Sequence, residues 1–399
     1  MSSAQYVQVA PFGSNFSCKS SDLTSKVVRE MASTDSDNMQ SSLQSQNPAA
    51  YLLSINKIAV KNYELPSPLG EYDVRIAIKA VGICASDVHY LRRGRIADFI
   101  VKEPMVIGHE SAGEVVAVGK KVTNLVVGDR VAIEPGIACQ RCPQCKTGAY
   151  NLCPDMRFFA TPPVHGSLAR FVQHPANLCF PLPASISYEE GAMCEPFAVG
   201  VYACTKAKVR PGIRLLITGA GPIGLVTLLA ARAFGASDII ITDVDRRRLA
   251  IAAEIAPGTR TVLVEGKAPT EVLHMVGGCG CVDVTMDCAG FEGTVELALE
   301  ATANGGKVLL IGMGCSTRRM HIPLLPAAIR EVDLLGSFRY RNVYPACLAM
   351  IASGKVDLKR LITHYKDLSG PGSFTAESVT SGFALSEQGG EVVKVMFTL

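Results

Sequence analysis

Residues 215–245 read LLITGAGPIGLVTLLAARAFGASDIIITDVD, and this stretch decides the fold. Leu215 to Thr218 is a short apolar run of strand type. It leads into GAGPIG, Gly219 to Gly224, and then into an apolar segment of helical length, Ile223 to Phe234. A bare G-x-G-x-x-G is weak, but one placed between a strand and a helix is the dinucleotide-binding fingerprint. Gly219 permits the tight turn, Gly221 lets backbone approach a pyrophosphate, and Gly224 lets helix and strand pack closely. The helix N-terminus then offers unpaired N–H groups to the phosphates. Asp243 ends the next strand, Ile239 to Thr242, where an acid can accept hydrogen bonds from the adenosine ribose and repel a 2′-phosphate. The pattern therefore favours NAD over NADP, with the basic run Arg246, Arg247, Arg248 as a counter-indication.

Further strand-like runs follow at Thr261 to Val264, Asp283 to Met286 and Lys307 to Ile311, with helical patterns at Arg247 to Ile255 and Thr294 to Thr302. Strands alternating with helices predict right-handed βαβ units and a doubly wound parallel sheet, so this is an α/β chain. Before Pro211-Gly212 the texture differs. Val74 to Val81, Glu114 to Val118 and Arg130 to Glu134 are short runs broken by Gly and Pro, which predicts an irregular antiparallel β domain. The division expected is an extension over 1–48, a β-rich domain over 49–200, a coenzyme domain over 201–338, and a tail over 339–399 returning to the β-rich domain. The extension is Ser-, Gln- and Asn-rich and is expected to be disordered. Asp22, Glu30, Asp35 and Asp37 spoil the acid-poor signature of a transit peptide, and Met31 is an alternative start.

Composition excludes several classes. With 39 basic and 36 acidic residues the net charge is only +3, so no phosphate-tracking surface is expected and nucleic acid is not a partner. The apolar stretch Leu215 to Ala231 is shorter than the roughly 20 residues a membrane span needs, and it carries motif glycines and a proline. No secretory signal pattern opens the chain, so the cytoplasm is the expected compartment. The 14 cysteines then point to metal or catalysis before disulfides.

Four of them, Cys139, Cys142, Cys145 and Cys153, are spaced C-x2-C-x2-C-x7-C, as for a closed tetrahedral Zn²⁺ site of structural type. A second set is dispersed: Cys84, then Gly108-His109-Glu110, then Glu195. A catalytic zinc needs about three protein ligands and a vacancy. Taken alone, His109 reads as a satisfied core histidine and Cys84 as a small buried hydrophobe, and no local spacing connects them.

GHESAGEVVAVGKKV, Gly108 to Val122, resembles the G-H-E-x2-G-x5-G-x2-V signature of the zinc-containing medium-chain alcohol dehydrogenases. AVGICASDVHY (80–90), GDRVAIEPG (128–136), FFATPPVHGSLA (158–169), EEGAMCEP (189–196) and REVDLLGSFRY (330–340) are similar to the polyol-oxidising, sorbitol dehydrogenase branch, the plant type in particular. The resemblance implies a GroES-like catalytic domain beside a Rossmann coenzyme domain, and a homotetramer. It implies reversible, NAD-linked oxidation of a secondary hydroxyl, sorbitol to fructose or xylitol to xylulose. Cys84, His109 and Glu110 become catalytic zinc ligands, and Glu195 binds the metal or its water, with Cys194 a rival on chemistry alone. Ser86 and His89 match proton-relay groups, and Tyr90, Arg339 and Tyr340 match polyol contacts. Ile223, Asp243, Arg248, Ile311, Gly312, Met313, Ser337, Phe338 and Arg339 match coenzyme contacts. Ala85 stands where the family has glycine, residues 267–281 look shortened and 366–377 expanded. The rivals are a zinc dehydrogenase of simple alcohols or threonine, and a catalytically silent dinucleotide-binding relative.

Overall fold

The computed structural model describes residues 46–314 and 319–399. The expected disorder over residues 1–48 falls outside them except at its end, where the chain is built into the body. Asn47 is buried: its side chain donates to the Tyr63 and Phe171 carbonyls and accepts from the Phe171 N–H. Pro48 then opens the strand Pro48–Ser54. No helix among the described residues is long and apolar enough to cross a membrane.

Two sheets organise the chain. One is parallel, ordered Arg260–Leu263, Asp238–Asp243, Arg214–Thr218, Val282–Asp287, Thr302–Leu310, Asp333–Gly336. In chain order this is 3-2-1-4-5-6, the doubly wound arrangement whose connections reverse beside Arg214–Thr218 and leave a crevice at the carboxyl ends of the strands. Leu215, Leu216 and Ile217 have no exposure, as expected of a central strand covered on both faces.

The other sheet runs Cys179–Pro181, Arg130–Ile133, Glu110–Val118, Asp73–Gly82, Lys394–Thr398, Ile362–Asp367, with Phe171–Pro175 also on Asp73–Gly82. All its pairings are antiparallel but the last. The final strand of the tail thus lies inside this antiparallel sheet, against Ala80 to Gly82. Glu110–Val118 starts four residues earlier than its alternation suggests, because Glu110 to Gly113 are buried without any polar–apolar alternation.

The helices depart little from their expected spans: Pro222–Ala233, Arg246–Ile255 and Glu292–Ala301. Thr302, expected to end the last, begins a strand; its hydroxyl donates to Ala298 and closes the helix there. Residue 200, expected as a domain border, lies inside the helix Cys194–Ala207. That helix packs on Pro222–Ala233 at Gly200, where a Cβ would come within 3.0 Å of Thr227 backbone.

Candidate active site

Cys84 caps the helix Ala85–Arg93, where the chain leaves the strand Asp73–Gly82. Its N–H donates to Asp87 Oδ2 at 3.2 Å, half of a reciprocal capping arrangement. The other oxygen, Oδ1, accepts the Gly108 N–H at 3.1 Å. Asp87 therefore ties the Cys84 turn to the Gly108 turn. Gly108 has φ +87°, and a Cβ there would meet Val81 and Leu168, so only glycine turns His109 inward. His109 Nδ1 lies 3.6 Å from Asp87 Oδ2, is buried, and has no hydrogen-bond partner. One ligand atom each of Cys84, His109 and Glu110 lie within 4.8 Å of one another. A thiol, an orphaned imidazole nitrogen and a carboxylate, clustered and buried, suit a borderline-soft cation such as Zn²⁺. The donor set fits the metal.

Glu195 stands outside that cluster. It sits in the first turn of Cys194–Ala207, 6% exposed, and its Oε1 accepts the Tyr340 hydroxyl at 2.8 Å. Burial raises its carboxyl pKa, opposed by His109 and the Tyr340 bond. Cys194, the rival, has no exposure and lies in the core around Phe197.

A cavity of about 510 Å³ brings Cys84, His109, Glu110 and Glu195 together with Ser86, His89, Tyr90, Phe158 and Arg339. It reaches the sheet crevice at Ile223, Ile311, Gly312, Met313, Ser337 and Phe338. Tyr340 is not on its wall; it supports Glu195 from behind, 3% exposed. Arg339 is half-buried. It holds φ +52°, lies 3.7 Å over the Phe158 ring and donates to Thr161 Oγ1 at 3.0 Å. Burial, then Asp87, pushes the Tyr90 hydroxyl up to about 12, and burial with Arg93 nearby lowers His89, keeping it neutral.

The dinucleotide motif sits at the switch point. Gly219 has φ +92°, and a Cβ on Gly224 would fall 1.8 Å from the Gly219 carbonyl. A Cβ on Gly221 would meet nothing, so its open side is free for a ligand. Asp243 is 7% exposed: Oδ2 accepts the Ala220 N–H at 2.7 Å and Oδ1 the Asp245 N–H at 2.8 Å. Of the arginines, Arg247 folds back on Asp245, while Arg248 Nη1 lies 4.0 Å from Asp243. Asp287, not singled out in the sequence, accepts the Thr218 hydroxyl at 2.6 Å and the Ala289 and Gly290 N–H groups, which fixes the far side of the crevice.

Cys139, Cys142, Cys145 and Cys153 place their sulfurs within 4.8 Å of one another. Cys142 caps the turn Pro143–Lys146, and the Cys142, Cys145 and Cys139 N–H groups donate to the sulfurs of Cys139, Cys142 and Cys153 at 3.3–3.5 Å. The Arg141 and Cys142 N–H groups lower Cys139 to about 7, while burial and neighbouring thiols push Cys145 up to about 12. Four thiols this close ionise together only with a cation between them, so this set also fits Zn²⁺.

Two further residues at the site were missed in the sequence, Asp87 and Lys394, whose ammonium contacts both Glu110 carboxylate oxygens at 2.7 Å. The first carried a signal, an acid three residues after the Cys84 cap. The second carried none.

A model of the alcohol dehydrogenase GroES-like domain matches residues 70–184, and a zinc-binding dehydrogenase model matches 222–353. A sorbitol dehydrogenase of Arabidopsis thaliana is 53% identical over 90% of this chain and 97% of its own. An L-idonate 5-dehydrogenase of Vitis vinifera is 52% identical over 89% and 95%. Among solved structures, L-idonate 5-dehydrogenase from Escherichia coli superposes with a TM-score of 0.80 at 27% identity, covering 88% of this chain and 98% of that one. A zinc-binding dehydrogenase from Sinorhizobium meliloti bound to NADP gives 0.80 at 30% identity, over 89% and 100%.

Proposed function

The chain belongs to the zinc-containing medium-chain dehydrogenases, and on that footing we propose that it is a sorbitol-type polyol dehydrogenase using NAD. The observation that carries this reading is the Tyr340–Glu195 pair and the stacked Arg339 beside the Cys84, His109 and Glu110 cluster. A cavity with these polar groups suits a chain of hydroxyls better than a simple alcohol. The sorbitol dehydrogenase and idonate dehydrogenase relatives support it. The zinc reading takes one catalytic ion per chain at Cys84, His109 and Glu110, with Glu195 adjacent, and one structural ion at the four cysteines.

The chemical difficulty is that an alcohol is too weak an acid to release hydride at neutral pH. Bound zinc supplies the Lewis acidity, on the scale by which it takes water from about 15.7 to about 7, and NAD supplies the hydride acceptor. The chain's own groups do the rest. Tyr340 holds Glu195 Oε1, leaving Oε2 to orient water or take a proton. Ser86 and His89, half-buried on the cavity wall, are proposed to carry that proton toward solvent; His89, kept neutral, can accept it. Arg339, fixed on Phe158, presents its remaining N–H groups to the substrate's other hydroxyls. Ile223, Val199 and Phe158 give the cavity an apolar side, which would keep water from the reacting carbon.

The test is oxidation of sorbitol, xylitol, ribitol, L-idonate and ethanol with NAD, beside metal content. Sorbitol or xylitol should lead; ethanol ahead of both would sink the proposal, and coenzyme binding with no turnover would favour a silent relative. A second reading, a sugar acid as substrate, has its own support: Arg93 and Arg95 join Arg339 on the cavity wall, so the mouth is cationic. L-idonate ahead of sorbitol would favour it.

NAD is proposed over NADP because the Asp243 carboxylate lies at the ribose position. Asp243→Asn keeps an acceptor for the Ala220 N–H and removes the charge, so Arg248 is released toward a 2′-phosphate. The NAD-to-NADP ratio of kcat/KM should fall about 100-fold, roughly 2.7 kcal/mol. An unchanged ratio would show that the acid does not set coenzyme choice.

The catalytic lobe is proposed as 49–200 with 339–399, and the coenzyme lobe as 201–338, an assignment supported by sheet membership. The exposed Leu324, Leu325 and Ile329, near the edge strand Asp333–Gly336, support self-association, proposed as a homotetramer. A cytoplasmic location is proposed, in keeping with unpaired thiols throughout the described residues.

A further inference from the structure

Lys394 lies in the last strand, yet its ammonium is 3% exposed and sits behind the metal cluster. It contacts Glu110 Oε1 and Oε2 at 2.7 Å each and the Ile83 carbonyl at 3.0 Å. An ammonium has three donors, so all are used. Ile83 directly precedes Cys84, so one side chain holds both the turn that presents Cys84 and the carboxylate of Glu110. Gly82 makes the room: a Cβ there would fall 2.2 Å from Glu110 Oε2. The pair is enclosed, with Glu110 1% exposed, so its charges act on one another with little screening by water.

We infer that Lys394 is a positioning residue for Glu110 that also draws negative charge away from the metal, making Glu110 a weak ligand. This deepens the metal-centre reading above and rests on it. A carboxylate engaged on both oxygens by an ammonium gives less charge to a cation on its other side. The cation then stays more electron-poor and is held less firmly. A salt bridge serving only to anchor the last strand would leave the metal's properties untouched.

The test compares two neutral replacements with a charged one in the full-length enzyme carrying cobalt(II). Lys394→Gln keeps donors for Glu110 without the charge, Lys394→Met keeps only the stem, and Lys394→Arg keeps the charge. The readouts are the visible cobalt absorption and the rate of cobalt loss to a chelator, with the signal of a Cys84→Ser variant subtracted to remove the four-cysteine site. Lys394→Gln, and Lys394→Met where it folds, should lose cobalt about tenfold more slowly, with a shifted band and a kcat about tenfold lower at unchanged KM. Lys394→Arg should stay within about twofold of the parent on each readout. Cobalt loss that is unchanged or faster in Lys394→Gln, or an unmoved band, would overturn the inference. A parent enzyme whose cobalt signal survives Cys84→Ser would instead overturn the metal-centre reading, so the two failures are distinct.

Discussion

Cys84→Ser is expected to lower NAD-linked polyol oxidation by at least about 10⁴-fold, because the substrate hydroxyl then keeps its ordinary acidity. Lowering the hydroxyl's pKa by about eight or nine units corresponds to roughly 12 kcal/mol, and 10⁴-fold asks for less than half of it. Serine fits the Cys84 turn, since the hydrogen bonds there run between Asp87 and the backbone N–H groups of Cys84 and Gly108. The fold should therefore persist, and metal analysis should show one ion per chain where the parent holds two. Turnover near the parent rate in a variant proved to lack the second ion would end the metal reading.

Cys142→Ser is expected to act on the fold first and on the site through it. Between residues 138 and 152 only Asn151 is buried, so the lobe has almost no apolar core of its own. Structural zinc contributes about 10–16 kcal/mol in small zinc domains, against a whole-domain stability of about 5–15 kcal/mol. Losing it should melt the lobe locally. The lobe also holds the segment that carries Arg339 and Tyr340. Asn151 Nδ2 donates to the Phe338 carbonyl at 2.9 Å, the Asn342 N–H donates to the Tyr150 hydroxyl at 2.7 Å, and Asn342 Nδ2 donates to the Gly148 carbonyl at 3.1 Å. Hydrogen exchange over residues 137–158 should accelerate by several orders of magnitude. The KM for the polyol should rise about tenfold or more while coenzyme binding is spared. Unchanged exchange in that lobe, with the metal absent, would show that the cysteines do not depend on an ion.

These outcomes draw on parts of the molecule that differed in how openly the chain displayed them. The coenzyme crevice was legible because its residues are contiguous: strand, glycine turn and helix follow within Leu215–Ala233, and each constrains the next. The four cysteines were legible for the same reason, all lying within Cys139–Cys153. The cluster at Cys84, His109 and Glu110 was different. No local period links a helix cap to a strand start, and only resemblance joined them. Asp87 showed itself as an acid in a first turn, but its hold on Gly108 crosses 21 positions. Lys394 reaches Glu110 across 284, and nothing near it in a strand of apolar residues marks it as part of a site. Glu110 to Gly113 hid their strand by being buried on every side. Asn47 looked like the end of a polar tail because its role is to satisfy backbone groups of two other segments.

The placement of the strand Lys394–Thr398 also orders events in time. While a ribosome is still making this protein, the glycine-turn half of the molecule can close on its own contacts once residue 336 has emerged. The cluster of Cys84, His109 and Glu110 cannot, because Lys394, which holds Glu110 from behind, comes later in the chain. A polypeptide arrested between residues 336 and 394 would therefore carry a formed nucleotide fold beside an unfinished reaction centre.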